Sequence, residues 1–250
     1  MKFSVLIPIY KNDKAEFFKE ALESVINQTK VPDEIVIVKD GPVGADLNKV
    51  IKEMGSNYKG NLKVVPIKEN VGLGSALNTG IENCTYEIIA RMDSDDICVP
   101  DRFEKQIREF ELDKELDIVG SNICEFYHSI NDIKAVKKVP MTNDEIKSYI
   151  KTRNPMNHMT VMFKKSSVIK AGSYQHMLYC EDYYLWARMV VMGCKFKNIA
   201  ETLVYARTGL DMYKRRGGAK YIKSEYYLQK SLKEIGLVRT GRFYCNLILR

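Results

Sequence analysis

The sequence predicts an α/β fold built on a mostly parallel, doubly wound sheet, with a small antiparallel part and a C-terminal helical extension. Before Pro100, short apolar runs alternate with amphipathic segments, which is the pattern of βαβ units. The apolar runs are solid, as in Ile35-Val36-Ile37-Val38, because helices cover parallel strands on both faces. After Pro100 two longer predicted strands follow each other directly, which indicates antiparallel pairing.

Strands and helices alternate through the first part of the chain. Residues 13–29 form an amphipathic helix, because Phe18, Leu22 and Val25 recur on one face. The predicted strands are 3–9, 34–38, 62–67 and 86–92, and the other helices are 45–54 and 73–83.

The second part has a different rhythm. Helices are predicted at 101–112, 143–151 and 183–192, and strands at 118–127, 133–139 and 160–163. A strand pair is predicted within 195–205, before the C-terminal extension.

The composition is that of a globular chain able to bury a full core. The 250 residues are 45% hydrophobic and 28% charged, which fits one large domain or one domain with an appendage. The six cysteines are scattered without a Cys-x-x-Cys pair, so neither a zinc site nor a disulfide framework is expected. No apolar run is long enough to cross a bilayer, and no signal peptide opens the sequence. We therefore expect a cytoplasmic protein.

The positive charge of the chain is concentrated at its C-terminal end. Residues 207–250 hold eleven Lys or Arg against three Asp or Glu, whereas the other residues hold 28 against 29. A basic segment interleaved with aromatic and aliphatic residues suits an anionic membrane surface or a polyphosphate, and a solvated helical face is the alternative. No nucleic-acid-binding motif accompanies the charge, so nucleic acid is not an expected partner.

Carboxylates follow the strand predicted at 86–92. In Asp93-Ser94-Asp95-Asp96, two aspartates separated by one residue can share a hard divalent cation, Mg²⁺ or Mn²⁺, which commonly bridges protein acids to phosphates. The alternative is an Asx-rich turn that caps the next helix.

Three further motifs each follow a successive strand. They are Pro8-Ile9-Tyr10, Asp40-Gly41-Pro42 and Asn70-Val71-Gly72-Leu73-Gly74. Their backbone, ring and carboxylate groups suit a base, and the glycines let the start of a helix approach a phosphate. Because parallel strands end at one edge of a sheet, where ligands bind, the four motifs together predict a nucleotide-sugar site.

The ordered motifs resemble those of the inverting glycosyltransferases of family 2, which have the GT-A fold. The resemblance covers about residues 2–206 and is carried by residues 4–10, 24–29, 33–41, 70–72, 93–96 and 181–183. Residues 40–42, 154–158 and 213–218 are similar to bacterial O-antigen, capsule and exopolysaccharide transferases of the amylovoran type. The resemblance implies a domain at 1–206, with a nucleotide-binding half at 1–100 and an acceptor-binding half at 101–206, and an extension at 207–250.

The resemblance also implies site roles. Asp40 would bind the base, Asp93 the ribose side of the nucleotide, and Asp95 the metal, Mn²⁺ or Mg²⁺. Of the acidic pair Glu181-Asp182, the second would be the catalytic base. The other residues assigned to the nucleotide are Pro8, Tyr10, Asn70, Gly72 and Ser94.

Some residues depart from the family pattern or have two interpretations. Many relatives carry a second aspartate before Asp40, where this chain has Lys39, so one carboxylate is left for the base. His158 suits a sugar or acceptor contact, or a structural hydrogen bond. Trp186 suits core packing. Three basic residues suit a diphosphate clamp or a solvated surface: Lys214, Arg215 and Arg216.

The implied reaction moves a hexose from a nucleotide diphosphate, UDP above others, to a saccharide hydroxyl with inversion. The acceptor would be linked to a lipid diphosphate at the inner face of the membrane. A sugar-phosphate nucleotidyltransferase is one alternative, although it needs a basic, Gly-rich loop after the first strand, where this chain has Lys11-Asn12-Asp13. A non-catalytic protein that binds nucleotide-sugars is the other.

Overall fold

A single sheet with helices on both faces organises the part of the chain that the structure describes. The computed structural model describes residues 1–209 and 218–248. Its strands are β1 (Phe3–Tyr10), β2 (Glu34–Asp40), β3 (Asn61–Pro66), β4 (Ile88–Arg91), β5 (Ile97–Cys98), β6 (Leu116–Phe126), β7 (Ile133–Lys137), β8 (Met162–Lys164) and β9 (Lys195–Arg207).

The helices follow the strands in the order that the sequence predicts through residue 112. They are α1 (Ala15–Ile26), α2 (Ala45–Asn57), α3 (Leu73–Asn83), α4 (Arg102–Leu112), α5 (Asn143–Tyr149), α6 (Lys165–Lys170), α7 (Glu181–Val191), α8 (Ala219–Glu234) and α9 (Thr240–Ile248). A short 3₁₀ turn covers His158–Thr160.

The first half of the sheet is parallel, as predicted. The strands lie in the order β3-β2-β1-β4, and Leu6 is level with both Val36 and Arg91 in the register. Because all four strands run in one direction, their carboxyl ends meet at one edge of the sheet. The motifs that follow β1, β2 and β4 therefore lie at the same edge, which is where open α/β sheets bind ligands.

The second half of the sheet mixes directions. β8 pairs antiparallel with β4 and β6, and β7 pairs antiparallel with β6, as the sequence predicted for the two longer strands. The prediction of a strand pair within 195–205 was wrong. Residues Lys195–Arg207 form one strand parallel to β6, and irregular register between the two strands absorbs the Ala200-Glu201 interruption. The short strand β5 and the helix α6 were not predicted.

Two apolar cores cover the two faces of the sheet. Phe18 and Phe103 lie in the core on one face, whereas Leu6, Tyr174 and Trp186 lie in the core on the other. Trp186 is fully buried, so the prediction that it packs in the core is confirmed. Burial on both faces explains the unbroken apolar strands, since neither side of β1 or β2 faces water.

The C-terminal helices pack on the core that contains Trp186. Leu228, Leu232 and Val238 are buried in it. The Asn246 side chain donates to the Lys151 carbonyl at 2.8 Å and to Gln229 Oε1 at 2.7 Å. The extension is thus joined to the main body by apolar burial and hydrogen bonds. In the described ranges, no helix is both long and apolar enough to span a bilayer.

Candidate active site

The end of β4 carries an ion pair between a buried arginine and the first aspartate of the carboxylate motif. Alternation along the strand places Ile89 and Arg91 on the face opposite to Ala90. The Arg91 guanidinium contacts both carboxylate oxygens of Asp93, with Nη1 2.6 Å from Oδ2. Arg91 is only 2% exposed; burial opposes its charge, but the combined effect of Asp93, Tyr174 and Asp96 raises its pKa. An ion pair with two contacts fixes the orientation of the Asp93 carboxylate.

Asp13 is a further acid at this edge that the sequence did not identify. Its Oδ2 accepts a hydrogen bond from the Tyr10 backbone N–H at 3.0 Å, and its carboxylate also bonds the Ser94 hydroxyl. Burial raises the pKa of Asp13, and repulsion from Asp93 adds to the effect. The first and fourth strands are therefore connected at their ends by the side chain of Asp13.

Asp95 lies among like charges. Shielding from water, followed by repulsion from Asp93 and Asp13, raises its pKa to about 6. Its neighbour Asp96 is buried and accepts a hydrogen bond from the Arg207 backbone N–H at 2.8 Å. The two neighbouring acids therefore have different surroundings. The Asp96 carboxylate bonds the backbone of β9, whereas the Asp95 carboxylate lies beside the negative charges of Asp93 and Asp13.

The Asp40 carboxylate organises the loop before α3. Oδ1 accepts from the Val71 N–H at 2.7 Å, and Oδ2 accepts from the Gly72 N–H at 3.1 Å and the Asn70 amide at 2.9 Å. Gly41 has a φ of 85°, and a Cβ there would lie 2.9 Å from the Asn70 nitrogen. The assignment of Asp40 to the base stays a prediction, alongside this role in shaping the loop.

Two other nucleotide candidates lie at the end of β1. Pro8 is buried, whereas the Tyr10 side chain is exposed and available to a ligand. Lys39 donates to Asn48 Oδ1 at 3.0 Å. This bond directs the Lys39 side chain toward α2.

The acidic pair opens α7. Glu181 and Asp182 occupy its first turn, where the helix dipole favours negative charge. The Asn154 amide donates to Asp182 Oδ2 at 2.7 Å. Burial raises the pKa of both acids, and the Asn154 bond partly offsets the rise for Asp182. A Cβ on Gly74 would lie 3.5 Å from Glu181 Cγ, so the start of α3 abuts the start of α7.

Aromatic side chains form the wall behind the acidic pair. The Asn78 amide bonds the backbone of Tyr174 in both directions, at 2.8 and 2.9 Å. The Tyr174 hydroxyl lies 2.8 Å from His158 Nε2, and both rings contact Trp186. Burial, with a smaller effect of Arg91, lowers the pKa of His158 well below its usual range, so its ring is neutral. Its contact to sugar or acceptor stays a prediction.

The carboxylates fit a cation that is bound partly by the protein and partly by a ligand, rather than a cation that protein side chains bind alone. Across residues 1–209 and 218–248, no three His, Cys, Asp or Glu side chains are grouped to hold a metal ion by themselves. Asp95 nevertheless offers a hard oxygen donor, and the repulsion from Asp13 and Asp93 would be relieved by a positive ion. The set therefore fits Mg²⁺ or Mn²⁺ completed by phosphate oxygens.

Several site residues were not predicted from the sequence, and other predicted site residues lie outside the part of the chain that the structure describes. The sequence does contain a signal for Asp13 and for Arg91. A charged residue at the end of a buried strand, or just after it, needs a partner of opposite charge or a hydrogen bond. Tyr174 depends on long-range packing and has no such signal, whereas Asn154 lies in the 154–158 motif, which did not indicate its contact with Asp182. The proposed clamp Lys214, Arg215 and Arg216 lies outside the described residues.

These features define a class: an α/β protein of the GT-A type, with carboxylates at one edge of its sheet and an acidic pair at the start of α7. The family model for glycosyl transferase family 2 matches residues 4–176. The chain belongs to this family, and it is a glycosyltransferase.

The similar proteins include named bacterial glycosyltransferases. The chain is 44% identical over 245 residues to the amylovoran biosynthesis glycosyltransferase AmsE of Erwinia amylovora, covering 97% of this chain and 90% of the relative. It is 38% identical over 249 residues to an Escherichia coli UDP-Gal:alpha-D-GlcNAc-diphosphoundecaprenol beta-1,3-galactosyltransferase, covering 100% and 90%. The fold is similar to that of Staphylococcus aureus TarS 1–349 in complex with UDP-GlcNAc, with a TM-score of 0.70, 18% identity, and 99% and 70% coverage.

Proposed function

We propose that this glycosyltransferase moves a hexose from a UDP-sugar to a saccharide hydroxyl with inversion, in the synthesis of a surface polysaccharide. The observation that carries the proposal is that Asp182, held by Asn154 at 2.7 Å, and Asp93, paired with Arg91, both act on the buried Tyr174 and so belong to one site. The carboxylate edge of Asp93 and Asp95 supplies the donor site, and Asp182 supplies the base. The similar E. coli protein named for UDP-Gal supports a UDP donor.

The donor is bound at the edge formed by β1, β2, β4 and the start of α3. Tyr10 presents an exposed ring to the base, and Asp93, held rigid by Arg91, faces the ribose. The loop shaped by Asp40 brings Gly72 to the diphosphate, and α3 begins there with free N–H groups. Ser94, bonded to Asp13, completes this side.

Asp95 would hold a divalent cation on the diphosphate. Such an ion, when bound, neutralises the negative charge that develops on the leaving group. The chain contributes the acids Asp95, Asp93 and Asp13, whose mutual repulsion makes a cation favourable at this place.

Asp182 takes the proton from the acceptor hydroxyl as it attacks the anomeric carbon. A carboxylate in hydrogen-bond reach contributes typically ~10²–10⁴-fold to such a step. Asn154 orients Oδ2 of Asp182, and the Tyr183 backbone N–H also bonds this carboxylate. Attack opposite to the leaving diphosphate inverts the anomeric carbon, so an α-linked donor gives a β-glycoside.

The acceptor is a saccharide on a lipid diphosphate, at the inner face of the cytoplasmic membrane. The name of the E. coli relative supports this chemistry. On α8 and α9, Lys220, Lys223 and Lys230 are exposed together with apolar side chains: Ile222, Tyr226, Tyr227, Tyr244 and Ile248. A surface of this composition suits an anionic bilayer, with aromatic residues at the headgroups and lysines toward anionic lipids.

A donor panel tests the reaction. The purified protein is incubated with UDP-, GDP- and dTDP-sugars, with Mn²⁺, Mg²⁺ or a chelator, and the nucleotide products are separated. We expect metal-dependent release of UDP from one UDP-hexose, stimulated by a lipid-diphosphate saccharide. Release of pyrophosphate would instead indicate nucleotidyl transfer, and binding without turnover would indicate a non-catalytic protein.

A further inference from the structure

Tyr179, two residues before the acidic pair, has a strained backbone. Its φ is 66°, in the left-handed region that a bulky side chain rarely adopts. Such a conformation persists only where the surrounding contacts enforce it, and it is common at functional sites. Residues 178–180, which we call the entry segment, lead directly into Glu181 and Asp182 at the start of α7. The contacts that hold the entry segment therefore help to place the acidic pair.

Helix α8 of the C-terminal extension contacts the entry segment directly. The Ser224 hydroxyl donates a hydrogen bond to the Leu178 carbonyl, and Ser224 is only 5% exposed, so water hardly competes for this bond. The Tyr221 ring lies beside the Tyr179 ring, with their centroids 6.2 Å apart. The strained residue is thus held through its ring and through the carbonyl of the residue before it.

A third contact completes one face of α8. The Cys180 thiol lies 4.0 Å from Glu225 Oε1, and the Tyr221 hydroxyl donates to the same oxygen at 3.1 Å. Tyr221, Ser224 and Glu225 are spaced i, i+3 and i+4, so they share one face of the helix. Leu228 continues this face into the core. The inward face of α8 therefore touches every residue of the entry segment.

The extension also reaches the other support of Asp182. Asn154, whose amide bonds Asp182, lies three residues after Lys151. The Asn246 amide of α9 donates to the Lys151 carbonyl at 2.8 Å and to Gln229 Oε1 of α8 at 2.7 Å. The C-terminal helices are thus bonded to the backbone shortly before each of the two residues that form the Asn154–Asp182 hydrogen bond.

We propose that α8 is part of the acceptor side of the site, and that Ser224 is a positioning residue that holds the entry segment so that Asp182 is directed at the acceptor hydroxyl. This inference rests on the proposed function, because it concerns the same base. Ser224 acts through the Leu178 backbone and the first turn of α7, and it touches no reacting atom. The exposed face of the helix, with Lys223 and Lys230, keeps its proposed role at the bilayer.

The test compares Ser224→Ala with Ser231→Ala, a matched change two turns further along α8. Alanine has a higher helix propensity than serine, so neither substitution weakens the helix itself. Transfer is measured without membranes, on a saccharide diphosphate that carries a short water-soluble chain in place of the lipid, so altered membrane binding cannot change the rate. The rate is expressed per UDP-binding site, counted by calorimetry, so an unfolded fraction does not lower it.

The expected result is a loss of turnover without a loss of donor binding. In Ser224→Ala, we expect kcat per UDP-binding site to fall about tenfold at unchanged KM for the UDP-sugar, because a small displacement of the base slows the proton transfer. Ser231→Ala should retain the rate of the unmodified chain. A purely structural role of Ser224 would lower the Tm and leave kcat per site unchanged, and that outcome overturns the proposal.

Amide hydrogen exchange gives a readout that does not depend on turnover. Peptides that cover residues 177–184 should exchange about threefold faster or more in Ser224→Ala, since the entry segment loses a bond that anchors it, and at the original rate in Ser231→Ala. If the unmodified chain transfers no sugar, the proposed function fails, and exchange alone decides whether Ser224 holds the entry segment. An unchanged exchange rate in Ser224→Ala then sinks the positioning role as well.

Discussion

The amide of Asn154 donates to Oδ2 of Asp182 at 2.7 Å, and this bond orients the proposed base. Asn154 precedes the buried residues Pro155 and Met156, so its backbone is anchored in the core while its side chain reaches the site. A hydrogen bond to the ionised form of an acid favours that form. Asn154 therefore determines both the direction and the charge of Asp182.

Removal of this bond should impair catalysis more than folding. In Asn154→Ala, we expect kcat to fall about tenfold and its acidic limb to move to higher pH, because Asp182 loses a donor that stabilises its ionised form. Kinetics across pH measure both effects. Asn157→Ala is the matched control, since its amide donates to the Ser121 carbonyl at 2.9 Å and serves the fold. An equal shift of the limb in the control would argue against a specific role.

The loop before α3 should depend on Asp40. In Asp40→Ala, the Val71 and Gly72 N–H groups and the Asn70 amide lose their acceptor, so we expect the free energy of unfolding to fall by about 2–4 kcal/mol. KM for the donor should rise, because the loop loses its shape. Urea unfolding and initial rates measure these changes. Asp46→Ala, on an exposed position of α2, should change stability by less than about 0.5 kcal/mol. Equal effects of the two substitutions would contradict this account.

Stability near neutral pH should reveal the repulsion at Asp95. Its pKa is raised from 3.8 to about 6 in the folded chain, so the fold loses stability as pH rises through that window. Asp95→Asn should therefore raise the Tm of the metal-free protein above pH 6 and leave it nearly unchanged below pH 4. Mn²⁺ or Mg²⁺ should raise the Tm of the unmodified chain in the presence of UDP, and this gain should be lost in Asp95→Asn. Thermal unfolding across pH checks both statements, and an undiminished metal effect in the variant would refute the assignment.

Membrane binding should depend on the lysines of α8. We expect Lys223→Glu with Lys230→Glu to weaken binding to anionic phosphatidylglycerol vesicles by about thirtyfold or more, since each lysine near the surface contributes about 1 kcal/mol. Neutral phosphatidylcholine vesicles should bind both proteins weakly. Lys49→Glu with Lys52→Glu on α2 makes the same change of charge elsewhere and should retain binding. Vesicle sedimentation at two salt concentrations measures the effect, and equal loss in both double variants would indicate nonspecific attraction alone.

Local sequence patterns predicted the parallel half of the fold because β1, β2 and β4 are apolar runs and each helix there has a clear apolar face. The strand β9 was predicted as a strand pair rather than as one strand, because its partner β6 lies about 80 residues earlier and polar residues interrupt its pattern. Motifs at strand ends indicated Asp93 and Asp95 for the same local reason. The contacts of Arg91, Asn154 and Tyr174 depend on packing between distant segments, and the 154–158 motif did not indicate that Asn154 bonds Asp182.

The central claim is that Asp182 is the base of a hexosyl transfer from a UDP-sugar, and one assay tests it most directly. The unmodified chain and Asp182→Asn are compared with the active UDP-hexose and a synthetic lipid-diphosphate saccharide, while UDP affinity is measured by calorimetry. We predict addition of one hexose with inversion, a fall in kcat of ~10²–10⁴-fold in Asp182→Asn, and similar UDP affinity in both proteins. Transfer by Asp182→Asn at the rate of the unmodified chain would contradict the claim.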